Sequence, residues 1–303
     1  MRNRSTTLLA VVAVALLAAC GSGGSQKGEK VKVEATPAAL KQAADKSQAQ
    51  GPFHTTFTME VTVEGHQVKV PGTGDIDPAR HLAHMSMDMA GFADQLGSDA
   101  AGFASMFATP IDVVLSGSTM YMKFPALAAM AGGDKEWLKF DLAAKNKTLG
   151  DLLGGDGTSM DPSSFLQYLR GAGTVNEVGK EDVNGVATTH FSGTYTLKQA
   201  LAAAPDDKRA ALESMLSDAP DGFDTRAQVY DVWVDADGLV RRVKVTVDLT
   251  GLKSGAANTT MSADYGDYGK AVDITVPSDD QVTDLTDVVG SQSKFSSVGS
   301  AIN

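Results

Sequence analysis

From Phe53 to Glu64 the chain alternates strictly. Phe53, Thr55, Phe57, Met59, Val61 and Val63 fall on one parity; His54, Thr56, Thr58, Glu60, Thr62 and Glu64 fall on the other. Side chains of an extended backbone point to opposite faces in turn, so this stretch predicts a long strand with one apolar and one polar face. Such a strand needs partners, and the chain supplies them at short intervals. Residues 66–76 read as a weaker strand interrupted by Pro71, and 81–89 as a strand with Met85, Met87 and Met89 on one face. Residues 111–115 and 119–124 form a hairpin around Ser116-Gly117-Ser118, with Met120, Met122 and Phe124 sharing a face, and 137–142 adds a short strand.

The second half repeats the theme. Residues 174–183 and 186–195 pair around Asn184-Gly185, a strong signal for a two-residue hairpin turn. Residues 226–234 and 239–249 meet at Asp235-Ala236-Asp237-Gly238, and 258–268 and 271–276 meet at Gly269. Helices are expected at 38–50, where Thr36-Pro37 offers a cap and a first-turn proline, at 161–170 after Asp161-Pro162, and at 196–217 with a break at Pro205. Residues 90–110 fit a short apolar helix or a mobile cover. A short helix near 284–288 precedes a polar remainder expected to be flexible from about 290. Short turns between successive strands make the sheet antiparallel. The fold class is therefore α+β: one large, curved antiparallel sheet, or an open barrel, with helices on its concave side.

The start of the chain has a different logic. Arg2 and Arg4 are followed by the uncharged run 8–17, about half the length of a membrane-spanning helix, and then by Leu17-Ala18-Ala19-Cys20-Gly21. That order resembles the bacterial lipoprotein signal, the lipobox, in which the cysteine thiol receives a diacylglycerol and becomes the new N-terminus. Cys20 is the only cysteine in the chain, so it has no disulfide partner within it. The expected organisation is a signal peptide over 1–19, an acylated Cys20 with a flexible Gly/Ser/Lys-rich tether over 20–35, and one folded domain over 36–303. Such a protein is exported and lipid-anchored to the outer face of the cell membrane.

The net charge of -11 becomes about -13 once Arg2 and Arg4 are removed. Without a basic cluster, that balance argues against nucleic acid and against electrostatic adhesion to anionic lipid. Signatures of catalysis or cofactor binding are not evident. There is no Gly-x-Ser-x-Gly, and the stretch Gly173 to Lys180 is spaced one residue too long for a phosphate loop, with Glu181 where Ser or Thr belongs. His81 and His84 are the closest histidine pair, but three residues apart on a strand they face opposite ways, so no metal is expected there. Asp235-Ala236-Asp237-Gly238 opens like a calcium loop but lacks the later acidic ligand and joins two strands. No enzyme activity, cofactor or metal is expected.

The methionines are more informative. Met59, Met85, Met87, Met89, Met120, Met122 and Met261 all lie on predicted strands, although Met is a weak strand former. Flexible thioethers suit a surface that accepts varied apolar shapes, acyl chains among them. Plain core packing against the helices accounts for the same pattern. The candidate ligand-binding face is Phe57, Met59, Val61, Met85, Met87, Met89, Met120, Met122, Phe124, Val243, Val245 and Val247.

Two late runs carry a family resemblance. Tyr230-Asp231-Val232-Trp233-Val234-Asp235-Ala236-Asp237-Gly238-Leu239-Val240-Arg241-Arg242 is followed by Tyr265-Gly266-Asp267-Tyr268-Gly269-Lys270-Ala271-Val272-Asp273-Ile274. Together with the lipobox and tether, they resemble the LppX/LprA/LprF/LprG family of actinobacterial lipoproteins, most specifically over residues 228–277. The resemblance implies a half-barrel sheet similar to LolA/LolB carriers, with an apolar cavity between sheet and helices. It implies a partner that is an acylated lipid or glycolipid, lipid transport across the cell envelope, and an envelope lipid exporter as a further partner. Trp233, Arg241, Arg242, Tyr265, Tyr268 and Gly269 match the family pattern by position and are read as fold-defining residues, not ligand contacts. A non-enzymatic docking or sensor lipoprotein of the same fold, with a filled core, is the alternative.

Overall fold

The computed structural model describes residues 33–63, 66–91, 109–125, 135–142, 174–203, 222–250 and 256–285, together with residues 128, 209, 213 and 220. The expected signal peptide, Cys20, most of the tether and of the 90–110 cover, the 161–170 helix and the tail from 290 lie outside these residues. Most of the 196–217 helix lies outside them as well.

Helix α1 (Pro37–Gln48) starts as its sequence dictates. The Thr36 hydroxyl accepts the Ala39 amide at 3.2 Å, and Pro37 occupies the first turn, where no amide is needed. Six strands follow in order: β1 (Phe53–Val63), β2 (His66–Asp77), β3 (Leu82–Met87), β4 (Ile111–Ser116), β5 (Thr119–Lys123) and β6 (Trp137–Asp141). Then come β7 (Val175–Val183), β8 (Val186–Thr196), α2 (Leu197–Ala203), β9 (Ala227–Asp235), β10 (Val240–Asp248), β11 (Ala256–Gly266) and β12 (Val282–Asp284). All twelve belong to one sheet, ordered β12-β6-β5-β4-β3-β2-β1-β11-β10-β9-β8-β7. Two meanders thus run in opposite directions from a central seam, where β1 lies antiparallel to β11.

Three expectations need correction. Pro71 does not interrupt β2, which is continuous. Its carbonyl accepts the Asp88 amide, just past the end of β3, so its missing N–H falls where no strand is waiting. Residues 271–276 are not a strand, because β11 already has β1 on one side and β10 on the other, leaving no edge for a returning hairpin. The chain instead crosses past Arg80, whose guanidinium donates to the Val272 carbonyl at 3.1 Å. The third correction is where it goes: Asp284, expected to open a helix, ends β12, which pairs parallel with β6 and closes the far edge.

The two tight turns are chemically transparent. Asn184 and Gly185 both take positive φ, 51° and 82°, as a two-residue hairpin turn requires. Gly269 sits at φ 76° against the Gln50 carbonyl, a conformation and a fit that favour glycine.

One face of the sheet carries two apolar clusters. The first joins Leu40, Ala43 and Ala44 of α1 and Ala200 of α2 to Phe53, Phe191, Tyr230, Val232, Val243, Val245 and Tyr265. The second gathers Ala83, Ile111, Val113, Leu115, Met120, Leu138 and Phe140 from β3 to β6. Ile76 packs against both. The described helices therefore cover the β8–β11 end of the apolar face.

A candidate apolar binding face

Strand register places the candidate residues together. One row across the sheet reads Phe191, Val232, Val243, Ala263, Phe57, Gly72, Met87, Ile111. The next reads Gly193, Tyr230, Val245, Met261, Met59, Val70, and beyond it lie Val247, Thr259, Val61 and Val68. On the other side, Gly74, Met85, Val113, Met122 and Leu138 form a row, and Met120 stands in the row beside it. Met89 and Phe124, just past their strands, pack against the second cluster. All twelve candidates are thus on, or packed to, one face.

Their burial divides them. Met85, Met120, Val243 and Val245 are fully covered. Phe57, Met59, Val61, Met87, Met89, Met122, Phe124 and Val247 are half-buried, as is Met261, which the candidate set omits. Neither cluster, among the described residues, contains Met59, Val61 or Met261. Of the half-buried group, Phe57 and Val247 pack against the first cluster and Met87, Met89, Met122 and Phe124 against the second, while Met59, Val61 and Met261 are packed against neither.

Two glycines shape this face. A Cβ on Gly72 would stand 2.3 Å from Phe57 Cζ, and one on Gly193 would stand 2.5 Å from Tyr230 Cζ. Each glycine thus lets a ring lie flat across the neighbouring strand. Desolvation acts on two tyrosines of the packed region: burial pushes the Tyr230 hydroxyl up to about 12 and raises that of Tyr195 further.

The opposite face is polar and paired. His54 Nδ1 lies 2.9 Å from Asp75, His84 lies 3.6 Å from Asp112, and Lys69 pairs with Glu60 at 3.3 Å. His81 is in the turn before β3, at φ 53°, so it is not part of the strand as expected. No group of three or more His, Cys, Asp or Glu among the described residues is placed to hold a metal ion. The Asp235 carboxylate is fully engaged: one oxygen accepts the amides of Asp237 and Leu239 at 2.9 Å, and the other accepts Arg241 Nε at 2.7 Å. That turn also docks α1, through Lys46 to the Asp237 carbonyl at 2.5 Å and the Val240 amide to Ser47 Oγ at 2.9 Å.

Sequence reasoning missed a second polar assembly, spread over β7 to β11. The ring of His190 stacks on Trp233, centroids 4.2 Å apart and planes 9° apart. Its two nitrogens lie 2.9 Å from Glu181 and from Asp231. The Trp233 indole N–H donates to the other Glu181 oxygen at 2.7 Å. Arg242 lies over the Trp233 ring and pairs bidentately with Asp264, raising its own pKa chiefly through that hydrogen bond. No local spacing announces this group; the only hint is charge on the outward parity of strands β8 to β10.

No family model matches the chain. It is 32% identical over 170 residues to an uncharacterized 31.2 kDa protein encoded in the rplA-rplJ intergenic region of Streptomyces griseus. The match covers 54% of this chain, which spans about half, 52%, of that relative's length. Among solved structures, Mycobacterium tuberculosis lipoprotein LppX is similar at 14% identity and a TM-score of 0.44, over 79% of this chain and 100% of that one. LprF from Mycobacterium bovis is similar at 14% identity and a TM-score of 0.43, over 80% and 96%. A LolA superfamily protein from Nitrosomonas europaea is similar at 9% identity and a TM-score of 0.29, over 77% and 92%.

Proposed function

We propose that this chain is an extracytoplasmic lipoprotein, anchored to the membrane through Cys20, that binds an acylated lipid or glycolipid on its apolar sheet face and carries it across the cell envelope. The observation behind this reading is the half-buried strip from Val247 and Val61 through Met59, Met261 and Phe57 to Met87 and Met122. Its members span six strand intervals from β10 to β5, about 29 Å at the usual spacing, with Val68 and Val70 of β2 and Ile111 and Val113 of β4 buried between them. That is close to the hydrocarbon thickness of a bilayer, roughly two acyl chains end to end. Each methylene hidden there gains about 0.8 kcal/mol over water. Binding is non-covalent and involves no reaction. The tether and signal segment supply the location.

The burial of Met85 and Met120 favours a second reading, a docking or sensor lipoprotein whose core is filled by its own side chains. One experiment separates the two. The chain starting at Gly21, purified from an actinobacterial host, is analysed by native mass spectrometry, then by organic extraction and lipid analysis. A stoichiometric acylated lipid is the expected result. Protein that carries none, and takes up none from vesicles, overturns the carrier reading.

A further inference from the structure

The His190 assembly lies on the face opposite the apolar strip, and nothing in lipid binding calls for it. His190 is on β8, with its side chain 13% exposed. One ring nitrogen meets Glu181 of the edge strand β7, and the other meets Asp231 of β9. A carboxylate only accepts hydrogen bonds, and a neutral imidazole donates from one nitrogen alone. Both 2.9 Å contacts are therefore satisfied together only by the imidazolium. Glu181 is suited to the ionised role, because its second oxygen accepts the Trp233 indole N–H. The other charges facing the ring's surroundings are committed or matched: Arg242 of β10 is bound to Asp264 of β11, Asn184 also donates to Asp264, and Lys244 of β10 stands opposite Asp231.

We infer that His190 is a proton-operated clasp, which ties the edge hairpin β7–β8 to β9 while its ring is protonated and slackens that hairpin when the proton leaves. On deprotonation one carboxylate faces a nitrogen lone pair in place of a donor. β7 is least able to resist, since among the described residues its only strand neighbour is β8, and their register already shifts between Glu177 and Gly179. The consequence reaches the other face. β8 runs without a break into α2, whose Ala200 is part of the first apolar cluster and whose Leu197 packs against it.

The test uses the chain from Gly21, with His190 followed by ring-nitrogen NMR and the β7–β8 amides followed by hydrogen exchange corrected for intrinsic rates, between about pH 5 and pH 9. At the acid end both ring nitrogens should carry protons. As the ring loses its proton, exchange over residues 180–189 should quicken on the order of tenfold relative to β1, the scale of one lost charge-assisted hydrogen bond. In His190→Gln the step should vanish and exchange should stay at the fast level throughout. In Glu181→Gln, a second variant that keeps the side-chain volume, the step should shrink, because the charged partner on β7 is gone and only the Asp231 contact remains ionic. A neutral His190 ring while the hairpin is fully protected, or an unchanged step in either variant, overturns the inference.

Discussion

The Phe57 ring occupies the space in which a side chain on Gly72 would stand. The two residues face each other across β1 and β2, and a Cβ on Gly72 would also meet the Ser86 carbonyl of β3 at 2.8 Å. The ring can swing, but the carbonyl belongs to a ladder and cannot. Gly72→Ala should therefore cost about 1–3 kcal/mol by forcing the ring outward and spreading the strands. Gly179→Ala is the comparison, since nothing lies within 4 Å of its Cβ position. Urea unfolding of both variants checks the difference; equal losses would show that neither the Phe57 ring nor the Ser86 carbonyl constrains residue 72.

Burial separates structural methionines from those that the proposed carrier function offers to a ligand. Met87→Asp and Met122→Asp replace half-buried side chains, and both variants should fold yet lose co-purifying lipid. Met120→Ala removes a side chain 2% exposed and should cost about 2–5 kcal/mol. Thermal unfolding and lipid stoichiometry, measured on the same preparations, give both readouts. Unchanged lipid content in two well-folded Asp variants would sink the assignment of this face.

Parity made the face legible, but not the division within it. Met85 and Met87 are two residues apart and equivalent in the sequence pattern, yet only Met85 is fully buried, because burial depends on what packs above. Local chemistry was legible wherever it was decided locally: the Thr36 cap, the Asn184-Gly185 turn and the Asp235 turn all follow from the residues present. The seam between β1 and β11 was not, since His54 pairs with Gly266 through register alone. The His190 assembly was hidden for the same reason, and the register shift in β7 obscures it further.

Acid should loosen the same region from the other side. The Trp233 indole N–H, and after it His190, hold the Glu181 carboxyl below its ordinary value. A carboxyl lowered in the folded state contributes stability that is present at neutral pH. That stability begins to be lost as pH drops below the ordinary 4.5 and is gone below the folded-state value. Glu181→Gln should melt earlier than the parent at pH 7 and show a flatter decline in melting temperature between about pH 5 and pH 2. Parallel acid limbs for the two proteins would show that Glu181 adds nothing.

Membrane attachment should depend on one atom. In the proposed anchoring, Cys20→Ser removes the thiol that an acyl group requires. In cell fractionation the variant should move from the membrane pellet to the soluble or secreted fraction. Retention in the pellet would mean that another segment holds the chain.

The seam also governs when the chain can fold. Strand β1 has β2 beside it almost as soon as both exist, but its other neighbour, β11, begins roughly 190 residues later. At ~5–20 residues per second, synthesis leaves that edge unpaired for roughly 10–40 s. Throughout that interval the first meander displays an open strand edge and an uncovered row of Phe, Met and Val. The nascent chain therefore stays recognisable to chaperones until residues 256–266 have been made.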